Sequence, residues 1–286
     1  MLRGPRFQDF VTKKTREAEC AVMTPLHTIE DHSAARTLPT IGNDWTRRHY
    51  DGDFHLFDPP PDLPAMSMVF VQSRDGNTGI DNPEDLGGGP TDTHLIYEGL
   101  SRVAADAVLA GAATAGGREV FFSVWHPELV ALRHELGLPR HPAQIVMSNE
   151  GRINLDALLF NVPEVPVFLI VGDRGRQHCA SALADKPWIT VMPLHEDDLR
   201  NTFAPLRIDH RFSRISVVGG RHTASALVDA GLIQDLCLTT TARQGGEPDT
   251  PFYVGRRTPG FEIIVKKHGM GAGGPLLFDH LTLVGI

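Results

Sequence analysis

The stretch that decides the fold is residues 214–242, which read RISVVGGRHTASALVDAGLIQDLCLTTTA. Residues 215–218 form an apolar, β-branched run that is typical of a strand buried on both faces. Apolar residues then recur at helical spacing over residues 222–230, and Gly231 follows as a C′ glycine. Residues 232–241 predict a second strand. This order predicts an α/β fold with helices on the faces of a sheet.

The turn Gly219-Gly220, between the first strand and the helix, is a candidate phosphate site. The first N–H groups of a helix lack intrahelical partners, and together with the helix dipole they favour an anion. Glycine has no Cβ, so a ligand can approach the main chain closely. A plain connection without a ligand fits the same residues equally well. The turn matches neither GxGxxG nor a Walker A sequence, so neither a fingerprint dinucleotide fold nor a P-loop NTPase is predicted.

The composition is that of an ordinary globular protein, because 41% of the 286 residues are hydrophobic and 22% are charged. A formal net charge of −8 argues against a nucleic-acid partner, which usually requires a basic face. No apolar run approaches the roughly 20 residues that span a bilayer, and the N-terminus has no apolar signal segment. Three widely separated cysteines fit a reducing compartment. We therefore expect a cytoplasmic protein without membrane contact.

The chain divides in composition at residue 64. Residues 1–64 are rich in charge, proline and histidine, which predicts an N-terminal extension that is partly disordered or packs as an arm. Residues 65–286 alternate strand and helix patterns, which predicts one nucleotide-binding domain. Strands are predicted at 66–72, 106–110, 144–147, 166–171, 188–192, 261–267 and 276–284, and helices at 126–136, 177–184 and 196–204. A further helix, capped by Thr91 or Asp92, is predicted to reach about Val103.

Small or glycine-rich turns follow several of the predicted strands. In open α/β sheets, ligands bind outside the carboxyl ends of the strands. If the strands are parallel neighbours, these turns line one cleft that is long enough for a dinucleotide. The turns are Ser73-Arg74-Asp75-Gly76, residues 111–117, Ser148-Asn149, Gly172-Asp173 and Gly219-Gly220.

Asp75 is the candidate acid of this cleft, because burial would raise its pKa into a proton-donating range. The alternative is an Asp-Gly turn residue with a solvated side chain. His178, His195 and His222 lie near predicted helix starts, but no HExxH or similar spacing occurs, so no metal site is predicted.

Three ordered motifs resemble the pyrimidine-reductase domain of riboflavin biosynthesis, which has a dihydrofolate-reductase-like fold. Ser73-Arg74-Asp75-Gly76 matches the family pattern Ser-x-Asp-Gly. Residues 102–114, RVAADAVLAGAAT, match Arg-Ala-x-x-Asp-Ala-Val-Leu-Val-Gly-Ala-Gly-Thr. Residues 218–220, VGG, with residues 230–236, AGLIQDL, match Glu-Gly-Gly followed by Ala-Gly-Leu-Val-Asp-Glu-Leu.

The resemblance implies a mixed, mostly parallel sheet flanked by helices, NADPH as hydride donor, a small-molecule substrate and a homodimer. The family reduces the ribose of a phosphoribosylamino-pyrimidinone to a ribityl chain, so the implied activity is that of a 5-amino-6-(5-phosphoribosylamino)uracil reductase. The zinc signature of the deaminase domain that often precedes it, His-x-Glu with Pro-Cys-x-x-Cys, does not occur. A stand-alone reductase is therefore expected.

The resemblance also implies a role for each motif residue. Ser73 and Asp75 would face the substrate as catalytic residues. The implied cofactor-binding residues are Gly111, Ala112, Ala113 and Thr114 at the nicotinamide ribose, Ser148 and Asn149 near the adenosine 2′-phosphate, Gly172 in the next turn, and Gly219, Gly220, Arg221, His222 and Thr223 at the pyrophosphate.

Two departures from the family pattern bear on the substrate. Val218 stands where the family has glutamate, which removes a polar group from the floor of the site. Ala113 stands where the family has glycine, which narrows the approach of a ligand to the backbone. Two alternatives therefore stay open. One is a reductase of a different carbonyl, imine or pterin-like compound, and the other is an NADP-binding protein without turnover.

Overall fold

The computed structural model describes residues 4–79 and 83–284, so the first three residues of the predicted extension lie outside the described part. The strands are β1 His27–Asp31, β2 Thr40–Ile41, β3 Phe54–His55, β4 Ala65–Gln72, β5 Ala107–Gly111, β6 Ala143–Ser148, β7 Val167–Val171, β8 Ile189–Pro193, β9 Arg214–Val218, β10 Ile233–Thr241, β11 Gly260–Gly271 and β12 Gly274–Val284. The helices are α1 Gly4–Glu19, α2 Asp44–His49, α3 Gly89–Thr91, α4 Ala112–Ala115, α5 Pro127–Glu135, α6 Asp173–Leu183, α7 Leu199–Ile208 and α8 Arg221–Asp229, and α3 continues as a π-helix, Asp92–Leu100.

The strands form one ten-stranded sheet in the order β1-β11-β12-β10-β4-β9-β5-β6-β7-β8, and β2 and β3 form a separate two-stranded sheet. From β10 to β8 all neighbouring strands of the large sheet are parallel. The pairs β10–β12, β12–β11 and β11–β1 are antiparallel. The mixed, mostly parallel sheet that the sequence predicts is therefore confirmed.

Both faces of the parallel strands are covered by apolar residues. Every residue of β5 and of β7 is buried, as expected for strands with packing on both sides. Adjacent residues of β9 belong to different cores, because Val217 packs in the cluster on one face and Val218 in the cluster on the other. This alternation follows from the two-residue period of side chains in a strand.

The carboxyl ends of six neighbouring parallel strands lie at one edge of the sheet, in the order β4, β9, β5, β6, β7, β8. Five strand spacings of about 4.8 Å give this edge a length of about 24 Å. The turns that the sequence predicts to be ligand-binding all leave from this edge.

The N-terminal segment packs on the same sheet. Strand β1 pairs with β11 at the sheet edge, and α1 buries Phe7 against Phe121, with 4.9 Å between ring centroids. Residues 4–19 are helical, which agrees with the packed arm rather than with the disorder that the sequence leaves open for the extension. Phe7, Val11 and Ala18 already recur at helical spacing in the sequence, although lysines and arginines mask the pattern. The division of the chain at residue 64 stays a prediction.

The helix that the sequence predicts to start at Thr91 or Asp92 differs from the prediction in its type and in its first residue. It begins at Gly89, and Asp92–Leu100 is a π-helix, in which Ser101 N–H donates to the Ile96 carbonyl at 3.0 Å. Neither Thr91 nor Asp92 caps the helix with its side chain. Thr91 Oγ1 accepts a hydrogen bond from Thr24 N–H at 3.0 Å, and Asp92 accepts one from the hydroxyl of Thr239. Both side chains bind residues that are distant in the sequence instead of the N–H groups at the start of the helix.

Two other helix starts also differ from the prediction. Helix α6 begins at Asp173, directly after β7 and Gly172, rather than at residue 177. Helix α7 begins at Leu199 rather than at residue 196, because Asp198 is its N-cap and accepts a hydrogen bond from Arg200 N–H at 3.1 Å.

Candidate functional site

The turn between β9 and α8 has the geometry of an anion site. Gly219 and Gly220 have φ values of 64° and 80°, a left-handed conformation that favours glycine. The first bond within α8 runs from Ala224 N–H to the Gly220 carbonyl at 2.9 Å. The N–H groups of the three residues before Ala224 therefore have no helical partner and remain available to a ligand.

Two turns meet at this point, because the β5–α4 turn lies against the β9–α8 turn. A Cβ added to Gly219 would lie 3.2 Å from Thr114 Cγ2, and one added to Gly111 would lie 2.8 Å from Thr223 Oγ1. A Cβ on Gly220 would lie 3.6 Å from the hydroxyls of both threonines. The structure thus brings together residues that are about 110 positions apart in the sequence. They surround a small space between two threonine hydroxyls.

The remaining predicted residues of these two turns lie on the solvent side. Ala112 and Thr114 are half-buried in α4, whereas Ala113 is exposed. At the start of α8, Arg221 is half-buried and His222 is exposed. Ala113 therefore points its methyl group to solvent, and its replacement of glycine leaves the space between the threonines unchanged.

The ends of β6 and β7 form the second part of the edge. A Cβ on Gly172 would lie 2.8 Å from Asn149 Oδ1, so the two predicted residues are in close contact. Ser148 Oγ accepts a hydrogen bond from Gly151 N–H at 3.1 Å and stabilises the turn after β6.

Asn149 and Gly172 open into a cleft of about 1040 Å³ between the ends of β6, β7 and β8. Charged and imidazole side chains line most of it, namely Glu150, Arg152, Asp173, Arg174, His178, His195, Glu196, Asp197 and Asp198. Arg152 pairs with Glu150 at 2.9 Å, and Asp173 pairs with Arg176 at 2.8 Å. The sequence predicts His178 and His195 only as residues near helix starts. They share one cleft because β8 lies next to β7 in the sheet, and the order of the strands cannot be inferred from any single strand.

The residues predicted to face the substrate follow β4. Ser73 is fully buried and accepts a hydrogen bond from Asn77 N–H at 3.2 Å. Asp75 is exposed and accepts a hydrogen bond from Gly245 N–H at 3.2 Å. Of the two interpretations of Asp75, burial in the cleft is therefore wrong, and the exposed side chain agrees with the alternative of a solvated Asp-Gly turn residue.

Asp92 carries a buried carboxyl group, whereas the sequence predicts this residue only as a candidate helix cap. Asp92 is 5% exposed and accepts a hydrogen bond from the hydroxyl of Thr239 in β10. Burial raises the pKa of Asp92 to about 7, although the bond from Thr239 opposes this rise. In the sequence an aspartate before an apolar run indicates a helix cap, so nothing local pointed to this environment.

Asp235, Cys237 and His280 also come together in the core, although the sequence predicts no metal site. Asp235 Oδ2 accepts hydrogen bonds from Ser67 Oγ at 2.9 Å and from His280 Nε2 at 2.8 Å. Burial raises the pKa of the Cys237 thiol well above its ordinary value, which disfavours the thiolate that a metal requires. The group is a hydrogen-bonded network that links three strands of the sheet.

Val218, the most prominent departure from the family motifs, is the last residue of β9 and is 3% exposed. It pairs with Val69 of β4, and both side chains pack in the same apolar cluster. The position beneath the Gly219-Gly220 turn is therefore apolar in this protein.

These features define an α/β protein with a candidate ligand-binding site at the carboxyl edge of a parallel sheet. Residues 65–260 match the profile of the RibD C-terminal domain, so the chain belongs to this family. It is therefore an oxidoreductase of the pyrimidine-reductase type, with NADPH as its cofactor. The exposed backbone N–H groups, the two threonine hydroxyls and the 24 Å edge, estimated at about 4.8 Å per strand, fit a dinucleotide of this kind.

Solved structures share the fold at low sequence identity. A pyrimidine reductase-like protein of Corynebacterium diphtheriae is 20% identical, with a TM-score of 0.61 over 78% of this chain and 93% of that one. RibD of Acinetobacter baumannii is 15% identical, with a TM-score of 0.59 over 78% and 59% of the two chains. The riboflavin biosynthesis reductase of Saccharomyces cerevisiae is 15% identical, with a TM-score of 0.54 over 78% and 92%. These structures confirm the α/β fold with a mixed, mostly parallel sheet flanked by helices.

Comparison with curated proteins gives no match. Within residues 4–79 and 83–284, no helix combines the length and the apolar character needed to cross a membrane.

Proposed function

We propose that this protein reduces a phosphoribosylamino-pyrimidinone with NADPH. A deaminase/5-amino-6-(5-phosphoribosylamino)uracil reductase of Thermotoga maritima has the same fold at 14% identity, with a TM-score of 0.53 over 77% of this chain and 57% of that one. The observation that carries the proposal is the meeting of the β5–α4 and β9–α8 turns. Together they form an anion-binding site beside the end of β4, where a substrate would lie.

In this proposal, each turn at the carboxyl edge of the sheet binds a different part of the cofactor or the substrate. The N–H groups of Arg221, His222 and Thr223 hold the pyrophosphate, as expected at a helix N-terminus. Gly111 and Thr114 border the nicotinamide ribose, and the bound cofactor supplies a hydride from its nicotinamide ring. The sheet edge then holds the acceptor carbon of the substrate against that ring and excludes water from the reaction.

The other end of the cofactor would lie in the cleft beyond β6. Ser148, Asn149 and Gly172 border the adenosine there. The proposed partner of the 2′-phosphate is Arg174, whose guanidinium can form charge-assisted hydrogen bonds. A homodimer and a cytoplasmic location, which the sequence predicts, belong to the same proposal, and sedimentation of the purified protein tests the first of them.

A titration tests the cofactor and substrate assignments separately. We expect NADPH to quench the fluorescence of the three tryptophans, with much weaker quenching by NADH. We then expect the pyrimidinone substrate to cause oxidation of NADPH. Binding of neither cofactor at millimolar concentration would contradict the whole assignment, whereas binding without oxidation would contradict only the substrate.

Substitution Asp75→Asn tests the predicted catalytic role of that residue. We expect turnover to fall by about tenfold or more with NADPH affinity unchanged, because Asp75 stands beside the end of β4 and not in the pyrophosphate turns. Asp209→Asn, which changes an exposed aspartate after α7, is the matched control. Unchanged turnover in Asp75→Asn would remove Asp75 from the mechanism.

A second candidate function is the reduction of a different small carbonyl, imine or pterin-like compound. The apolar environment of Val218 favours it, because the family glutamate at this position would place a polar group under the site. NADPH oxidation measured across a panel of such compounds distinguishes the two functions.

A further inference from the structure

A second cleft, the extension cleft, lies between the N-terminal extension and strand β11. Its volume is about 340 Å³, which is the space of about ten water molecules. Val265 and Lys267 form its β11 wall, and α2 with the segment that follows it forms the opposite wall. Three strand spacings, or about 14 Å, separate β11 from β4, so this cleft is distinct from the site at the carboxyl edge.

Lys267 carries a buried amine at the wall of the extension cleft. The residue is 2% exposed, and its ammonium group donates hydrogen bonds to Thr28 Oγ1 at 2.7 Å and to the Asp51 carbonyl at 3.1 Å. Its Nζ atom also lies 4.3 Å from the centroid of the Tyr50 ring. All three partners are uncharged groups. Among the described residues, none of the carboxylates forms an ion pair with this amine.

The burial of Lys267 makes its amine a better nucleophile than that of an exposed lysine. Burial lowers the pKa of Lys267 to about 8, although Asp51 and Asp31 oppose this change. At pH 7.5 about a quarter of such amines are neutral, compared with about 0.1% of lysines with the ordinary pKa of about 10.4. Only the neutral amine has a free electron pair for attack on a carbonyl carbon.

The charges of the extension cleft favour a ligand that leaves the positive charge of the amine in place. The ionisable groups that face Lys267 come from β1, from α2 and from the segment after α2, and they are Asp31, Arg47, Tyr50, Asp51, Asp53 and His55. Three carboxylates exceed one guanidinium, and the face of the Tyr50 ring stabilises a cation. Burial lowers the pKa of His55, so its ring adds no charge at neutral pH. Acylation would remove the charge of Lys267, whereas a protonated imine retains it.

We propose that Lys267 captures small, uncharged aldehydes as a protonated imine in the extension cleft. The ammonium group first releases a proton. The nitrogen then attacks the carbonyl carbon, the electron pair of the C=O bond moves to oxygen, and one proton passes from nitrogen to this oxygen. The proton released at the start protonates the resulting hydroxyl group, which leaves as water while the electron pair of nitrogen forms the C=N bond. One ammonium group and one aldehyde thus give one protonated imine and one water molecule, without oxidation or reduction.

Reductive alkylation tests this reactivity. The full chain is treated at pH 7.5 with propionaldehyde and cyanoborohydride, which reduces the imine to a stable secondary amine, and peptide mass spectrometry identifies the modified lysines. We expect Lys267 to react at least about tenfold faster than any other lysine, because its neutral fraction is larger. Lys267→Arg should abolish the fast reaction. Lys266→Arg is the matched control, because Lys266 lies next to Lys267 in β11 and pairs with Asp279 at 3.5 Å, and it should leave the fast reaction in place.

The pH and the charge of the aldehyde supply further readouts. The rate at Lys267 should rise with pH up to about 8 and then level off, because the neutral amine reacts and its fraction saturates above the pKa. Glyoxylate, an aldehyde that carries a carboxylate, should react more slowly than propionaldehyde at Lys267, because three carboxylates line the cleft. Unfolding in guanidinium chloride should abolish the preference for Lys267.

Two results would overturn the proposal. One is equal modification of Lys267 and the exposed lysines in the folded protein, and the other is no modification of Lys267 at all. Neither result bears on the proposed reduction of the pyrimidinone, because the experiment contains no NADPH.

Discussion

Gly220→Val should weaken NADPH binding by more than 100-fold while the protein stays folded. Gly220 has a φ of 80°, and a β-branched residue in the left-handed region costs about 1–2 kcal/mol. The side chain would also stand among the N–H groups that open α8. Loss of two hydrogen bonds to a charged group costs about 3–6 kcal/mol, which exceeds a hundredfold change in Kd. Fluorescence titration with NADPH measures this loss.

The matched control is Gly231→Val, at the opposite end of the same helix. Gly231 has a φ of 66°, so the substitution imposes a comparable backbone strain. It lies after the carboxyl end of α8, away from the exposed N–H groups, and NADPH affinity should not change. Equal weakening of NADPH binding in both variants would show that Gly220 affects binding through the stability of α8 and not through the anion-binding site.

The parallel strands and the Gly219-Gly220 turn could be predicted because their signals are local. Buried strands appear as short β-branched runs, and the glycine pair after β9 adopts the left-handed conformation that glycine allows. Gly231 likewise ends α8 with the positive φ that the sequence indicates. Each of these features depends on residues within a few positions of one another.

The burial of Asp92 has a cause that the neighbouring sequence does not contain. The partner of Asp92 is Thr239, which lies 147 positions further along the chain, and no pattern near residue 92 reveals it. Asp75 does show a local pattern, that of an Asp-Gly turn, and this pattern correctly indicates a solvated residue. We expect burial of Asp75 because it follows a strand. This position places the residue at the edge of the sheet but does not determine how deeply its side chain is buried.

The charged cleft beyond β6 could not be predicted either. Its lining comes from the segments that follow β6, β7 and β8, and each contributes at least three polar residues that look ordinary in the sequence. Only the order of the strands in the sheet brings Arg152, Arg174 and His195 to one place. Sheet order follows from tertiary packing of the whole domain, so it is not visible from one strand at a time.

Arg133→Met should destabilise the fold more than any other single substitution considered for this protein. Arg133 is 1% exposed and lies in α5. Its guanidinium donates hydrogen bonds to the carbonyls of Pro139 at 2.6 Å, Ala105 at 2.6 Å and Val103 at 3.1 Å. Burial lowers the pKa of Arg133 only to about 10, so the group keeps its charge at neutral pH.

Two of the carbonyls that Arg133 binds, those of Val103 and Ala105, belong to the connection from the π-helix to β5. Methionine fills a similar volume but cannot donate, so two or three buried carbonyls would lose their partner. At about 1–3 kcal/mol for each unsatisfied group, partly offset by the apolar side chain, the free energy of unfolding should fall by about 3–5 kcal/mol. Since β5 ends at Gly111, the β5–α4 turn depends on this connection as well.

Urea unfolding measures the predicted loss, with Arg200→Met as the control. Arg200 is exposed and pairs with Asp62 at 3.5 Å, so its replacement should cost less than about 1 kcal/mol. The two variants change the same kind of side chain and differ only in its surroundings. A similar, small loss in both would mean that water satisfies the carbonyls of Val103 and Ala105, and that the buried guanidinium does not hold β5 in place.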